Sequence, residues 1–261
     1  MALIGLNGGL IGARRSDAAP GLWTANEQAL LRRAGLWPND SFFSSVSMLL
    51  HMNGANTSPA FIDNSPSPKA VTALGNAQIS TTQSKFGGAS GFFDGTGDYC
   101  QIPNDAAFKF GSGDFTIEYW IYPTSLTGIK QHINPDNGSN TSYAILTSGS
   151  SLLYYLSSVG GSTWDIASGV SIGTATLNTW QHIALVRNGN VFTPYLNGTA
   201  GTTTTSSATL FDFTSKLTIG SDGPVTPLTP FQGYMDEFRI TKGVARYTAN
   251  FTPPTAAFPD S

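Results

Sequence analysis

Breaking a glycosidic bond usually takes two carboxyl groups facing each other across it, and this chain offers little material for that. It has three glutamates, Glu27, Glu118 and Glu237. Glu118 lies in the alternating run Phe115 to Tyr122, with Thr116 and Trp120 as same-face neighbours. Asp236 and Glu237 are adjacent, so a regular strand would send them to opposite faces. No paired acid is expected, and the sequence reads as non-enzymatic. Gly169-Val170-Ser171-Ile172-Gly173 matches the letters of a nucleophile elbow. That device needs a strand before it and a helix after it, and turn-rich β sequence surrounds it here. His51, His132 and His182 are far apart, without zinc spacing. His182 is expected on a sheet face with Trp180 and Ala184. Cys100 is the single cysteine, so it has no disulfide partner in the chain and reads as a small buried residue. The stretch Asn134 to Asn140 has the look of a calcium loop but lacks its closing acid, and reads as a hairpin tip.

These side chains need elements to position them, and the pattern beyond about Ser44 is β. Val46–His51, Phe92–Phe93, Tyr99–Ile102, Phe115–Tyr122, Tyr143–Leu146, Ser151–Ser157, Thr163–Ala167, Gln181–Arg187, Val191–Leu196, Leu217–Ile219 and Tyr234–Ile240 read as short strands between Gly, Ser and Asp turns. Phe115, Ile117, Tyr119 and Ile121 form one apolar face; the alternate residues form an aromatic and polar one. Asn188-Gly189 and Asn197-Gly198 are hairpin signals, because both residue types tolerate positive φ. The Pro-rich tail, Phe251 to Pro259, is expected to run extended along the surface. The first 43 residues differ. Thr24-Ala25-Asn26-Glu27 is a capping box opening a helix over 25–34, with Gly35 and Pro38 as its stop. So short a helix cannot bury its own apolar face. Residues 1–43 therefore read as an attachment segment and 44–261 as the β domain.

Composition supports this division. Charged residues are 11% of 261 positions and the net charge is −3. Ordinary domains carry roughly 25% charge. A chain with no basic excess is a poor nucleic-acid binder, and no window reaches the roughly 18 apolar residues of a membrane span. The first residues do not form a signal peptide, since Arg14 and Arg15 follow the apolar stretch. Synthesis and assembly in a cytoplasm are expected.

Three segments resemble a known family. SKFGGASGFFDGTGDYCQIP with FGSGDFTIEYWIYP, then NTWQHIALVRNGNVFTPYLNG, then FQGYMDEFRITKGVARYTANFTPP are similar, in order and spacing, to a laminin-G-like (concanavalin A-like) jelly roll. The resemblance spans Val46 to Pro254. It implies two antiparallel sheets in a sandwich that binds glycans or packs on structural proteins. Hydrolytic members carry a Glu-x-Asp-x-(x)-Glu strand, absent here. The resemblance further implies aromatic glycan contacts, with Trp120, Tyr122, Trp164, His182 and Tyr195 as candidates beside Tyr154 and Tyr155. It implies a calcium ion at the rim as an optional ligand, with Asp94, Asp98 and Asp236 where the family places its acids; no cofactor is required. The GVARYTANFTPP ending and the N-terminal region resemble variants found in bacteriophage virion proteins. That implies a virion location, as capsid decoration or tail fibre, with capsid or tail proteins as partners. Leu3, Leu6, Leu10, Trp23, Leu30, Leu31, Arg32, Arg33 and Trp37 would make the attachment. Host polysaccharide is a further partner, recognised with calcium if the domain acts as a receptor-binding lectin. By analogy with fibres the oligomer is expected to be a homotrimer. Nucleic acid and membrane are not expected partners.

Overall fold

A computed structural model describes residues 39–135, 142–222 and 229–261. The helix expected over 25–34 and the attachment residues Leu3, Leu6, Leu10, Trp23, Leu30, Leu31, Arg32, Arg33 and Trp37 lie outside the described residues, as do positions 136–140 of the Asn134 to Asn140 stretch. The strands, in chain order, are β1 (Val46–Leu50), β2 (Thr72–Leu74), β3 (Gln78–Ser80), β4 (Ser90–Asp94), β5 (Tyr99–Ile102) and β6 (Phe115–Pro123). They continue with β7 (Ile129–Asn134), β8 (Tyr143–Ser148), β9 (Ser151–Leu156), β10 (Ala167–Thr174) and β11 (Gln181–Asn188). The last are β12 (Val191–Leu196), β13 (Thr199–Ala200), β14 (Thr204–Thr205), β15 (Leu217–Ile219) and β16 (Gln232–Lys242).

Among the described residues these strands form two antiparallel sheets. One has the order β13-β12-β11-β6-β16-β4-β3, with β1 beside β16 and β14 beside β12. The other has the order β10-β9-β8-β7-β15-β5-β2. Period-2 alternation supplies each sheet with one apolar face. Phe115, Ile117, Tyr119 and Ile121 of β6 meet Cys100, Ile102, Tyr143, Ile145, Tyr154, Leu217 and Ile219 from the opposing sheet in a single core. This is the expected all-β jelly-roll sandwich.

Two turns show how local chemistry sets register. Leu196 pairs with Thr199, so Asn197 (φ 49°) and Gly198 (φ 78°) form a two-residue turn with positive φ at both positions, as the Asn-Gly signal predicts. A Cβ on Gly198 would fall on the Phe251 carbonyl oxygen, so this turn also has to admit the tail. At the other signal the turn is shifted by one residue. Asn188 pairs with Val191, and Gly189-Asn190 makes the turn instead. Thr163–Ala167 is not a strand as expected; the strand is β10, which contains all of Gly169 to Gly173. The nucleophile-elbow letters thus sit in a strand. The short edge strands β2, β3, β13 and β14, and β7, have too little alternation to be read in advance.

The closing segment is less peripheral than expected. From Gly243 onward the chain crosses the outer face of the larger sheet without regular structure. Tyr247 and Phe251 stack at 3.6 Å and pack on Tyr195 and His182. Phe258 is buried with Val46 and Leu49. Among the described residues no helix is long and apolar enough to cross a membrane.

Candidate functional site

The outer face of the larger sheet carries the polar chemistry. Alternation in β6 sends Thr116, Glu118, Trp120 and Tyr122 outward, opposite the core residues of the same strand. Glu118 is fully buried there and is held by Arg239, whose Nε and Nη2 donate at 3.0 and 2.7 Å. The Tyr247 hydroxyl donates to it at 2.7 Å, and His182 Nε2 stands 3.3 Å away. Burial alone would raise the Glu118 carboxyl, but the charges of Arg239, His182 and Arg246 outweigh it and hold it far below the usual carboxylate range. Asp40 completes the network, accepting from Arg239 at 3.1 Å and from Arg246 at 2.9 and 2.6 Å.

A bulge alters the expected geometry of Asp236 and Glu237. In the β16–β6 pair Asp236 opposes Trp120 and Arg239 opposes Glu118, so Glu237 and Phe238 together face one residue. Glu237 takes the left-handed conformation, φ 50°. Phe238 keeps its place in the core, and Asp236 and Arg239 point outward. Glu237 turns outward as well. It accepts from the Phe258 amide, whose ring lies 3.7 Å from the Arg239 guanidinium. Opposite faces, the expectation for a regular strand, is thus corrected. His51 Nδ1 donates to Glu237 at 2.9 Å, and this bond and charge outweigh burial to raise the His51 pKa. Asp236 accepts from the amides of Lys85 and Phe86 at 2.8 and 3.1 Å. Burial, with the Glu237 charge adding, pushes its carboxyl up to about 8.

Glu118 and Asp236 thus lie on one face as diagonal cross-strand neighbours, one carboxyl pushed below and the other above the ordinary range. A pair split in this way is a general acid–base signature. Here both are closed off. Tyr247 and Phe251 of the tail cover one side, while Lys85 (4.0 Å from the Trp120 ring centre) and Phe86 cover the other. Sequence reasoning missed the pairing because no periodic signal announces a bulge.

The expected sugar contacts divide. Trp120, His182 and Tyr195 are 5%, 0% and 1% exposed, packed under Lys85, Phe86, Tyr247 and Phe251. As open stacking platforms they are corrected: the tail and the loop before β4 occupy their faces. Tyr154 is core, its hydroxyl bonded to Thr204. Trp164 is half-buried against Tyr155 (5.4 Å) by the outer side of the other sheet. Tyr122 is half-exposed and does not stand alone. Phe92, Tyr234, Tyr122 and Trp180 form a continuous line, with ring centres 5.0, 5.9 and 5.5 Å apart. All four are half-buried, and Tyr234 pairs in register with both Phe92 and Tyr122. Gln78 pairs with Phe92, and Gln232 stands two residues before Tyr234, so two amides flank the line. The three residues beside Tyr122 were not expected as a group, since only strand order brings them together.

The three acids expected to hold calcium are not gathered. Asp98 accepts from the amides of Asn76 and Asp94 at 2.7 and 2.8 Å. Burial, the largest effect, raises its pKa. Asp94 accepts from the Thr96 amide and the Asn76 side chain. Asp94 opposes Gln232, four residues before Asp236, which puts Asp236 about 13 Å along the strand. Amide N–H groups, which repel a cation, bind at least one oxygen of each of these carboxylates. Among the described residues no three His, Cys, Asp or Glu side chains form a metal-sized group. The residues do not fit the ion. Cys100 is buried as expected, and burial raises its thiol pKa.

Two antiparallel sheets packed on one core define a lectin-like β-sandwich. The model of the concanavalin A-like lectin/glucanases superfamily, of laminin-G type, matches residues 94–246, and the chain belongs to that superfamily. No curated protein matches the sequence. Among solved structures, the chain is similar to the binding domain of Paraclostridial Mosquitocidal Protein 1, with a TM-score of 0.59 and 15% identity over 78% of this chain and 50% of that one. The receptor binding domain of botulinum neurotoxin D is similar at a TM-score of 0.56 and 16% identity, covering 78% and 51%. The binding domain of botulinum neurotoxin DC, solved in complex with SialylT, gives 0.58 and 14%, covering 78% and 50%. The chain spans about half the length of these structures, and at such identity the likeness is one of fold.

Proposed function

We propose that this protein is a carbohydrate-recognition module displayed on a bacteriophage particle, with residues 1–43 as its attachment to capsid or tail. The observation that carries the recognition half is the line Phe92–Tyr234–Tyr122–Trp180, half-exposed beside the covered Trp120 and His182. Aromatic faces beside amide donors suit the apolar faces and hydroxyls of sugars. The binding domains that share the fold, one of them solved in complex with SialylT, support the choice of a glycan. The virion setting rests on the resemblance of GVARYTANFTPP and of the N-terminal region. Glu118 and Asp236 are under cover, so the module binds without turning sugar over. No metal is needed at the aromatic line, so chelation leaves binding unchanged. A glycan array of terminal epitopes and bacterial polysaccharides, probed with the full chain and with Tyr234→Ala, tests this. Binding that Tyr234→Ala abolishes is the expected result. Binding that survives it, or that EDTA removes, would refute this placement of the site.

A further inference from the structure

The aromatic line has a direction as well as a composition. Its members come from β4, β16, β6 and the residue just before β11, neighbouring strands of one sheet. The line therefore runs across the strands, with a step set by the strand spacing of about 4.8 Å. This step is close to the length one pyranose ring adds to an extended oligosaccharide. Consecutive rings are tilted by 39°, 74° and 54°, so the line does not present one flat plane. The polar neighbours lie beside the line: Gln78 next to Phe92, and Gln232 two residues from Tyr234, both half-buried. Neither amide carries charge, and the nearby Asp94 carboxylate is already held by Thr96 and Asn76.

We infer that the site takes a linear, uncharged polysaccharide in mid-chain, laid across the strands, with one sugar per aromatic ring and four subsites from Phe92 to Trp180. This rests on glycan recognition at the same line and adds the ligand's class, direction and length. A terminal mono- or disaccharide would occupy one or two rings and leave the others idle. Each end of the line then governs the outermost subsite, and Tyr234 and Tyr122 govern the middle.

The test is a length series measured by calorimetry on the full chain. The probes are β-1,4-glucose, β-1,4-N-acetylglucosamine and α-1,6-mannose oligomers of two to six units, with sialyllactose as the terminal, charged control. Affinity for at least one ladder is expected to rise up to four units and then level off. Phe92→Ala or Trp180→Ala moves the plateau to three units and weakens the tetramer about tenfold, as expected for one lost stacking contact. Tyr234→Ala weakens every length. Trp164→Ala, near the other sheet, changes nothing, and thermal melts of each variant verify folding. A flat length response, or preference for sialyllactose, that remains sensitive to Tyr234→Ala overturns the four-subsite chain while sparing glycan recognition. Absence of binding to all ladders and to the array overturns both.

Discussion

Arg239→Leu is the sharpest probe of how the outer face is held together. Arg239 is 4% exposed and Glu118 0%. The substitution removes both donors at 3.0 and 2.7 Å from Glu118, one of the bonds to Asp40, and the guanidinium stacked 3.7 Å from Phe258. Glu118 keeps the Tyr247 hydroxyl, the nearby His182 and, at 3.8 Å, the Arg246 guanidinium. Removing one partner of a buried ion pair costs about 3–5 kcal/mol, because the other charge stays desolvated. For a unit of this size, Asp40–Ser261, each kcal/mol lowers Tm by about 2–4 °C, so a fall of about 6–20 °C is expected. Calorimetry gives the number, and a second variant gives the cause. If an orphaned charge is responsible, Glu118→Gln in the Arg239→Leu background should recover part of the loss, a coupling of at least about 1 kcal/mol. The pH dependence has a definite sign. The folded Glu118 pKa lies below its ordinary 4.5, so the network's contribution is complete above that value and fades as pH falls below it. Wild type and Arg239→Leu should differ most at neutral pH and converge in acid. A Tm within about 2 °C of wild type, or a deficit that ignores both pH and Glu118→Gln, would refute the reasoning.

Two further outcomes are expected. Asp236 has a folded pKa raised from 3.8 to about 8, so its effect on stability worsens as pH rises between those values. Asp236→Asn keeps an acceptor for the Lys85 and Phe86 amides and should raise Tm at pH 8 more than at pH 5; equal shifts at both would contradict this. Asp40 belongs to the sandwich through Arg239 and Arg246. Truncation before Asp40 should therefore leave a sandwich with higher Tm than truncation before Ser44, and both should fail to join particles. Equal melting of the two would show the Asp40 contacts to be idle, and normal copy number on particles would end the attachment proposal.

The elements legible in advance are those whose residues reported on their own surroundings. Phe115 to Tyr122 alternates over its whole length because one side of β6 faces the core and the other faces tail and loop. Asn197-Gly198 specifies its turn because only such residues accept two positive φ values in succession. The short edges, β2 and β3 among them, carry no such mark. Trp120, His182 and Tyr195 were legible as outward-facing and illegible as covered, since their cover comes from residues far along the chain.

From sequence alone follow the β class, the sandwich and the scarcity of glutamate, because composition, period and turn chemistry are local properties. Only the tertiary structure decided which aromatics are open. Strand order set Phe92, Tyr234, Tyr122 and Trp180 side by side, a bulge turned Glu237 to the face of Asp236, and the tail closed over Glu118. Each depends on pairing between distant segments, which no local pattern encodes.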